Sequence, residues 1–340
     1  MQPRLPIPHS SVWAAVTCTC TIWLAACGSD PAAVRGWLSG SLTPPDSPTT
    51  IAARHFAQQV TDKTNGRILI QHFDSSQLGT GQQQIEALAL GTQHLYFGSG
   101  SAPSILLPQY GVIDIAFLFR DRAHFDRFLA SDLISALNQQ LLNEFNVRVL
   151  AMNWYRKPRY LLHSGRFITD PASMEGARAR SPNLPMFLAN WAAVGAVPVK
   201  VTFFEQYLAL SQGLVELTEA SGDDIYPMRL HEVAPFITEA DMMFPQASAY
   251  VAERAFRELG PADQRIVIEA ARAAGDLHTR LVNDRFDSDR LAMIKEGARF
   301  APLPADAKRA FLSLVRRRAA QMEAEGLIPV GWFDRIQAMQ

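Results

Sequence analysis

Between Pro261 and Pro302 the chain "PADQRIVIEAARAAGDLHTRLVNDRFDSDRLAMIKEGARF" runs without a proline. Ile266, Ala270, Ala273, Leu277 and Leu281 recur at helical spacing, which predicts a helix over about residues 262 to 296. At about 1.5 Å per residue it would be roughly 50 Å long. A single helix of that length could bridge two lobes. The alternative is two helices broken near Gly275.

The preceding chain alternates helix and strand patterns. "SPTTIAARHFAQQVTDKTNG" opens with Ser47 as a cap and Pro48 at the first helical position, repeats Ala52, Phe56 and Val60, and stops at Gly66. "RILIQHF" (67–73), "HLYFGSG" (94–100), "VRVLAMNW" (147–154) and "RYLLHS" (159–164) read as strands, and "GQQQIEALALG" (81–91) as a helix between glycines. This alternation predicts an α/β protein with largely parallel sheets. The run from residue 154 to 164, interrupted only by Pro158, suits a passage between lobes.

The amino-terminus is of a different kind. "MQPRLPIPHSSVWAAVTCTCTIWLAAC" carries Arg4 and no acid, followed by an apolar stretch from Val12 to Ala26. That stretch is short for a membrane span and suits the core of a signal peptide. It ends in Leu24-Ala25-Ala26-Cys27, small residues before a cysteine, as in lipoprotein signals. Residues 1–26 are therefore expected to be a signal peptide, and Cys27 the acylated first residue of an exported, periplasmic protein held to a membrane by lipid. Residues 27–36 read as a tether. All three cysteines, Cys18, Cys20 and Cys27, lie in this segment, so the rest cannot rely on disulfides.

Lysine and arginine number 32 against 33 acids, for a net charge of −1, with no basic block, which argues against nucleic-acid binding. Enzyme motifs are incomplete. "HEVAP" (231–235) has Pro235 where a zinc-binding helix needs its second histidine, and no metal site is expected. "LGTGQQQIEALALG" (78–91) has Gln84 in place of the third glycine of a dinucleotide loop and lacks the lysine of a phosphate loop, so it reads as a capped helix. "GSGS" (98–101) is no nucleophile elbow. No cofactor is expected. Arg156, Lys157 and Arg159 form a basic cluster that a solvated turn would explain. Glu216, Glu219, Asp223 and Asp224 read as an acidic loop face. In "MEGARARSP" (174–182), Arg178 and Arg180 alternate with alanines on a short strand, and either one is a candidate for an anion.

Several of these segments together resemble the solute-binding proteins of tripartite ATP-independent periplasmic (TRAP) transporters, of the dicarboxylate-binding type. "FAQQVTDKTNGRILIQHFDSSQLGTGQQQIEALALGT" (56–92) is similar to the family's opening helix, turn, strand and second helix. "LLPQYGVIDIAFLFRDRAHF" (106–125), "NWYRKPRYLL" (153–162) and "FFEQYLALSQGLVE" (203–216) follow in the right order. "MEGARARSP" looks like the segment that carries the family's signature arginine, which falls on Arg180.

The resemblance implies two α/β lobes joined by crossing strands and a long bridging helix, closing on a small organic acid in the cleft between them. Lobe I would comprise residues 37–156 and about 246–285, lobe II residues 157–245 and about 286–340. Arg180 is expected to take a ligand carboxylate with its planar fork, and Arg178 to face solvent. Arg159, Glu86, Gln206, Tyr207 and Glu219 are the further expected ligand residues. The implied partners are the small and large membrane subunits of a permease.

The departures predict a changed ligand. "ELTEA" (216–220) stands where the family has D-G-q-E-N, so Ala220 replaces an asparagine. Ala240 and Asp241 stand near a position often held by histidine, and "KPR" replaces G-f-R. A sensory binding protein of the same fold, working with a membrane receptor, is the alternative to transport. An enzyme is not expected.

Overall fold

In the computed structural model, the described residues are 34–340. The segment expected to be a signal peptide, Cys27 and most of the expected tether lie outside them. The chain forms two mixed sheets wrapped by helices. Sheet one runs β2-β1-β3-β10-β4, with β1 Arg35–Ser41, β2 Ile68–Phe73, β3 Leu95–Ser99, β4 Val147–Tyr155 and β10 Gln246–Ala252. Sheet two runs β11-β9-β5-β8-β6-β7, with β5 Arg159–His163, β6 Arg178–Ser181, β7 Val197–Lys200, β8 Leu217–Ser221, β9 Phe236–Glu239 and β11 Arg299–Pro302. Strand β1 begins at Arg35, so two residues read as tether belong to the sheet.

The sheets are less parallel than expected. β10 runs antiparallel to β3 and β4, and β5 runs antiparallel to β8 and β9. The cause is the double passage between sheets. The chain leaves sheet one through β4 and enters sheet two as β5. It leaves sheet two through β9 and returns as β10. β10 returns to sheet one against β3 and β4, which precede it, whereas β5 is the first strand of sheet two and β8 and β9 are added against it; the local β-α-β units stay parallel.

The helix at Pro48–Lys63 starts as its sequence dictates: the Ser47 side chain accepts from the Thr50 amide, with proline in the first turn. The long helix is continuous over Pro261–Lys295. Val267, Ala270, Ala271 and Ala274 pack into the larger apolar core, whereas Phe286 and Met293 belong to the smaller one on sheet two. One helix therefore serves both cores. Gly275 does not break it. A Cβ there would sit 2.4 Å from Asn153 Oδ1 and 2.7 Å from Trp154 Cδ1, so the glycine lets the helix lie close on β4.

On sequence, the tail belongs with the second lobe. It contacts both: the Leu303 amide donates to the Glu239 carbonyl at 3.2 Å and the helix Ala305–Ala324 packs on the helix Pro185–Ala193 of the second, while the end of the chain reaches the first. His124 Nε2 bonds the Ile336 carbonyl at 2.7 Å and Arg120 Nη1 the Gln337 carbonyl at 2.8 Å. The Phe311 ring stacks on Phe117 with centroids 4.9 Å apart. These segments carry few charges facing inward, and the aromatic run "FLF" at 117–119 offers the apolar seat.

Candidate functional site

Arg159 opens β5 directly after the crossing, opposite Ser221, with Glu219 two residues along the paired strand. Period-two alternation puts Glu219 and Ser221 on one face, with Arg159 across from them. Arg159 Nη1 donates to Glu219 Oε2, and its guanidinium lies over the Phe187 ring at 5.4 Å. Arg180, on β6, is 3% exposed. Its Nε donates to the Val201 carbonyl at 3.0 Å, while its Nη1 stands 3.9 Å from Glu219 Oε1, beyond hydrogen-bonding reach. Among the described residues, Glu219 Oε1, Arg159 Nε and Ser221 Oγ are buried without a hydrogen-bond partner. Two guanidiniums thus share one buried carboxylate.

These side chains line a cavity of about 360 Å³. Ser99, Ser101 and Leu42 come to it from sheet one, and Arg159, Arg180 and Phe187 from sheet two and its helices. Ser99 and Ser101 sit at the carboxyl end of β3, and Pro182–Leu184 follow the carboxyl end of β6, where open α/β sheets commonly hold ligands. Phe203 also lines a second cavity of about 320 Å³, between residues 43–49, the long helix and residues 203–228.

The electrostatics follow from burial. Burial pushes the Arg180 guanidinium down to about 10, with Glu219 pulling the other way and Arg159 adding to the drop, so it stays charged at neutral pH. Burial also opposes the charge of Arg159, but Glu219 and Asp114 outweigh it and hold the group above its usual range. Buried Asp114 is pushed up to about 6, against the pull of Arg159 and Ser101.

The other expected residues are placed differently. Glu219 is 1% exposed, in the middle of this cluster rather than on a solvated loop. Gln206 is buried off the cavity wall, donating to the Phe203 carbonyl at 2.9 Å and accepting from Thr218 at 3.1 Å. Tyr207 lines the second cavity and donates to Glu232 at 3.1 Å. Glu86 lines neither cavity; it accepts from Gln82 at 2.9 Å one turn back on its own helix. Arg178 is exposed and donates to the Gly213 carbonyl at 3.0 Å, as expected of the solvent-side arginine.

The basic cluster and the acidic loop are each other's partners. Arg156 Nη2 donates to Asp223 Oδ2 at 2.8 Å and to Asp224 Oδ1 at 2.5 Å, while the Lys157 amide donates to Asp223 Oδ1 at 3.0 Å. Sequence inspection also passed over Ser101, Asp114 and Phe187. Ser101 was within reach, since "GSGS" ends a strand whose carboxyl end faces a cleft; Asp114 and Phe187 carry no local signal.

The fold and sequence both have counterparts. Residues 39–325 match the family of bacterial extracellular solute-binding proteins, family 7. A solute-binding protein of Verminephrobacter eiseniae is 29% identical over 236 residues, 69% of this chain and 69% of its own. A TRAP periplasmic solute-binding protein of Roseobacter denitrificans, solved with bound β-D-glucuronate, is similar at a TM-score of 0.81 and 23% identity, over 90% of this chain and 100% of that one. Another from Sulfurospirillum deleyianum, solved with bound succinate, gives 0.79 at 22% identity over 91% and 100%. The family match begins inside β1 and ends just past the helix Ala305–Ala324, and it takes in both sheets and the long helix. The chain belongs to the bacterial extracellular solute-binding protein family 7.

Proposed function

We propose that this chain is the extracytoplasmic receptor of a TRAP transporter. It captures a small organic acid in the cavity between the two sheets and delivers it to the small and large membrane subunits of the permease, leaving the ligand chemically unchanged. The carrying observation is Arg180: a charged, 3% exposed guanidinium at a cavity wall, with only Nε committed to the protein. Its fork matches two carboxylate oxygens in a way a lysine does not. Glucuronate and succinate, bound by the two solved relatives, share a carboxylate and little else.

In this proposal Arg180 and Arg159 hold the ligand carboxylate, and Glu219 fixes Arg159. Gln206 supports the strand behind them through Thr218. Tyr207 lines the neighbouring cavity, and Glu86 falls outside the contact set. Lobe I is built on sheet one (residues 34–156 and 246–285) and lobe II on sheet two (157–245 and 286 onward), with the terminal helix docked back on the first. We further propose that the protein works in the periplasm, anchored by lipid at Cys27. Intact-mass analysis of the membrane fraction tests this; an unmodified Cys27, or a mature start after it, rules it out.

Thermal-shift screening of the purified protein against carboxylates tests receptor function. A ligand at 100 times its Kd adds about 2.7 kcal/mol of stability, a readily visible shift in Tm. If no carboxylate shifts Tm while neutral solutes do, the carboxylate proposal fails.

A further inference from the structure

The cavity wall carries more information than its two arginines. Its charged side chains are Arg159, Arg180 and Lys200 against Glu205 and Glu219, three positive and two negative, which leaves one positive charge. Most of its other polar groups are already engaged with one another. The Ser99 and Ser101 hydroxyls lie 3.0 Å apart. Thr202 Oγ1 donates to Glu205 Oε2 at 2.6 Å, and its amide to the same oxygen at 3.3 Å. Asn183 and Lys200 are solvent-exposed. Apart from these groups, the two guanidiniums and Glu219 Oε1, the buried and half-buried lining is apolar: Leu42, Pro182, Leu184, Phe187, Val201 and Phe203.

The adjoining cavity repeats the pattern. Phe203 is common to both, and Val282, Phe286 and Met228 continue the apolar surface. Most charges there are paired, Arg156 with Asp223 and Asp224 and Arg285 with Asp289 at 3.5 Å, with Asp46 outside these pairs. At the strand position where the family resemblance puts an asparagine, this chain has the methyl group of buried Ala220.

We infer that the ligand is a monocarboxylate with an apolar body, aliphatic or aromatic, rather than a dicarboxylate or a sugar acid. This rests on Arg180 taking a carboxylate, as proposed above. One net positive charge in the wall balances one carboxylate. A second would enter a desolvated space with no counter-charge of its own. The hydroxyls of a sugar acid would each lose water against a wall that is mostly apolar and whose serine and threonine hydroxyls each already hold one bond. An apolar body loses nothing on leaving water and gains the contact of Phe187, Leu184 and Phe203.

Calorimetric titration of the purified protein with phenylacetate, 4-methylpentanoate, succinate and D-glucuronate tests this, with phenylacetamide as the neutral control. The apolar acids are expected to bind at least about tenfold tighter than either polar acid. Phe203→Asn should weaken phenylacetate several-fold. Succinate or glucuronate binding as tightly as phenylacetate overturns the apolar assignment and leaves the carboxylate receptor standing. Phenylacetamide binding as well as phenylacetate overturns both, as does the absence of binding by all four acids.

Discussion

Arg156 and Arg159 stand three residues apart and do different work. Arg156 is held by two aspartates that have no other cation in bonding range. Removing it leaves two part-buried carboxylates facing each other, and breaking such pairs costs about 3 kcal/mol or more. Arg156→Ala should therefore lower stability by about 3 kcal/mol in denaturant titration, with the smaller effect on ligand affinity. Arg159→Ala should cost more in affinity, because its guanidinium lines the cavity beside Arg180, and it should cost stability as well, because it leaves buried Glu219 with Arg180 only at 3.9 Å. Equal affinity losses, or a larger one at Arg156, would contradict this division. The basic and acidic clusters were both visible in the sequence, but not that they meet. Arg159 and Glu219 are 60 residues apart, and only the β5–β8 register joins them.

The long helix depends on one close approach. Gly275 sits where Asn153 and Trp154 of β4 leave no room for a Cβ, and Trp154 Nε1 donates to the Ala271 carbonyl at 3.0 Å on the same contact. Gly275→Val should push the helix off the sheet and destabilise the protein by about 1–3 kcal/mol. A helix propensity gain with no loss in Tm would show that the contact yields. Helix starts and stops were legible because they are local: Ser47, Pro48 and Gly66 act within one turn. Helical spacing alone left a break at Gly275 open, and packing closed it. Strand β1 was missed because "RGWLSGS" is rich in small residues and follows directly on the stretch expected to be a signal peptide and tether. The antiparallel β5 and β10 were illegible because direction is set by how the chain passes between the sheets, not by any strand's own residues.

At the scale of the whole molecule, two cores share one helix, and the cavity is assembled from both sheets. Two histidines, His278 buried on the long helix and His72 half-buried on β2, make the fold acid-sensitive. Burial, with Arg54 adding, holds His72 down to about 4, and burial, with Arg156 adding, holds His278 down to about 3. Both folded values lie below the usual 6.5, so the stability they contribute is complete above about pH 6.5 and is lost as pH falls toward the folded values. Each contributes a slope of up to about 1.4 kcal/mol per pH unit. His278→Gln should flatten the decline between pH 6.5 and 5 in denaturant titrations; an unchanged slope would place the sensitivity elsewhere. In the proposed function, Arg180 takes the carboxylate of the ligand. Calorimetric titration of wild type, Arg180→Ala, Arg180→Lys and Arg178→Ala with the tightest acid found and its primary amide decides it. We predict that wild type binds the acid and not the amide, that both Arg180 variants lose at least about tenfold in affinity while staying folded, and that Arg178→Ala binds as wild type does. Undiminished binding by Arg180→Ala, with the loss at Arg178→Ala instead, would contradict the account.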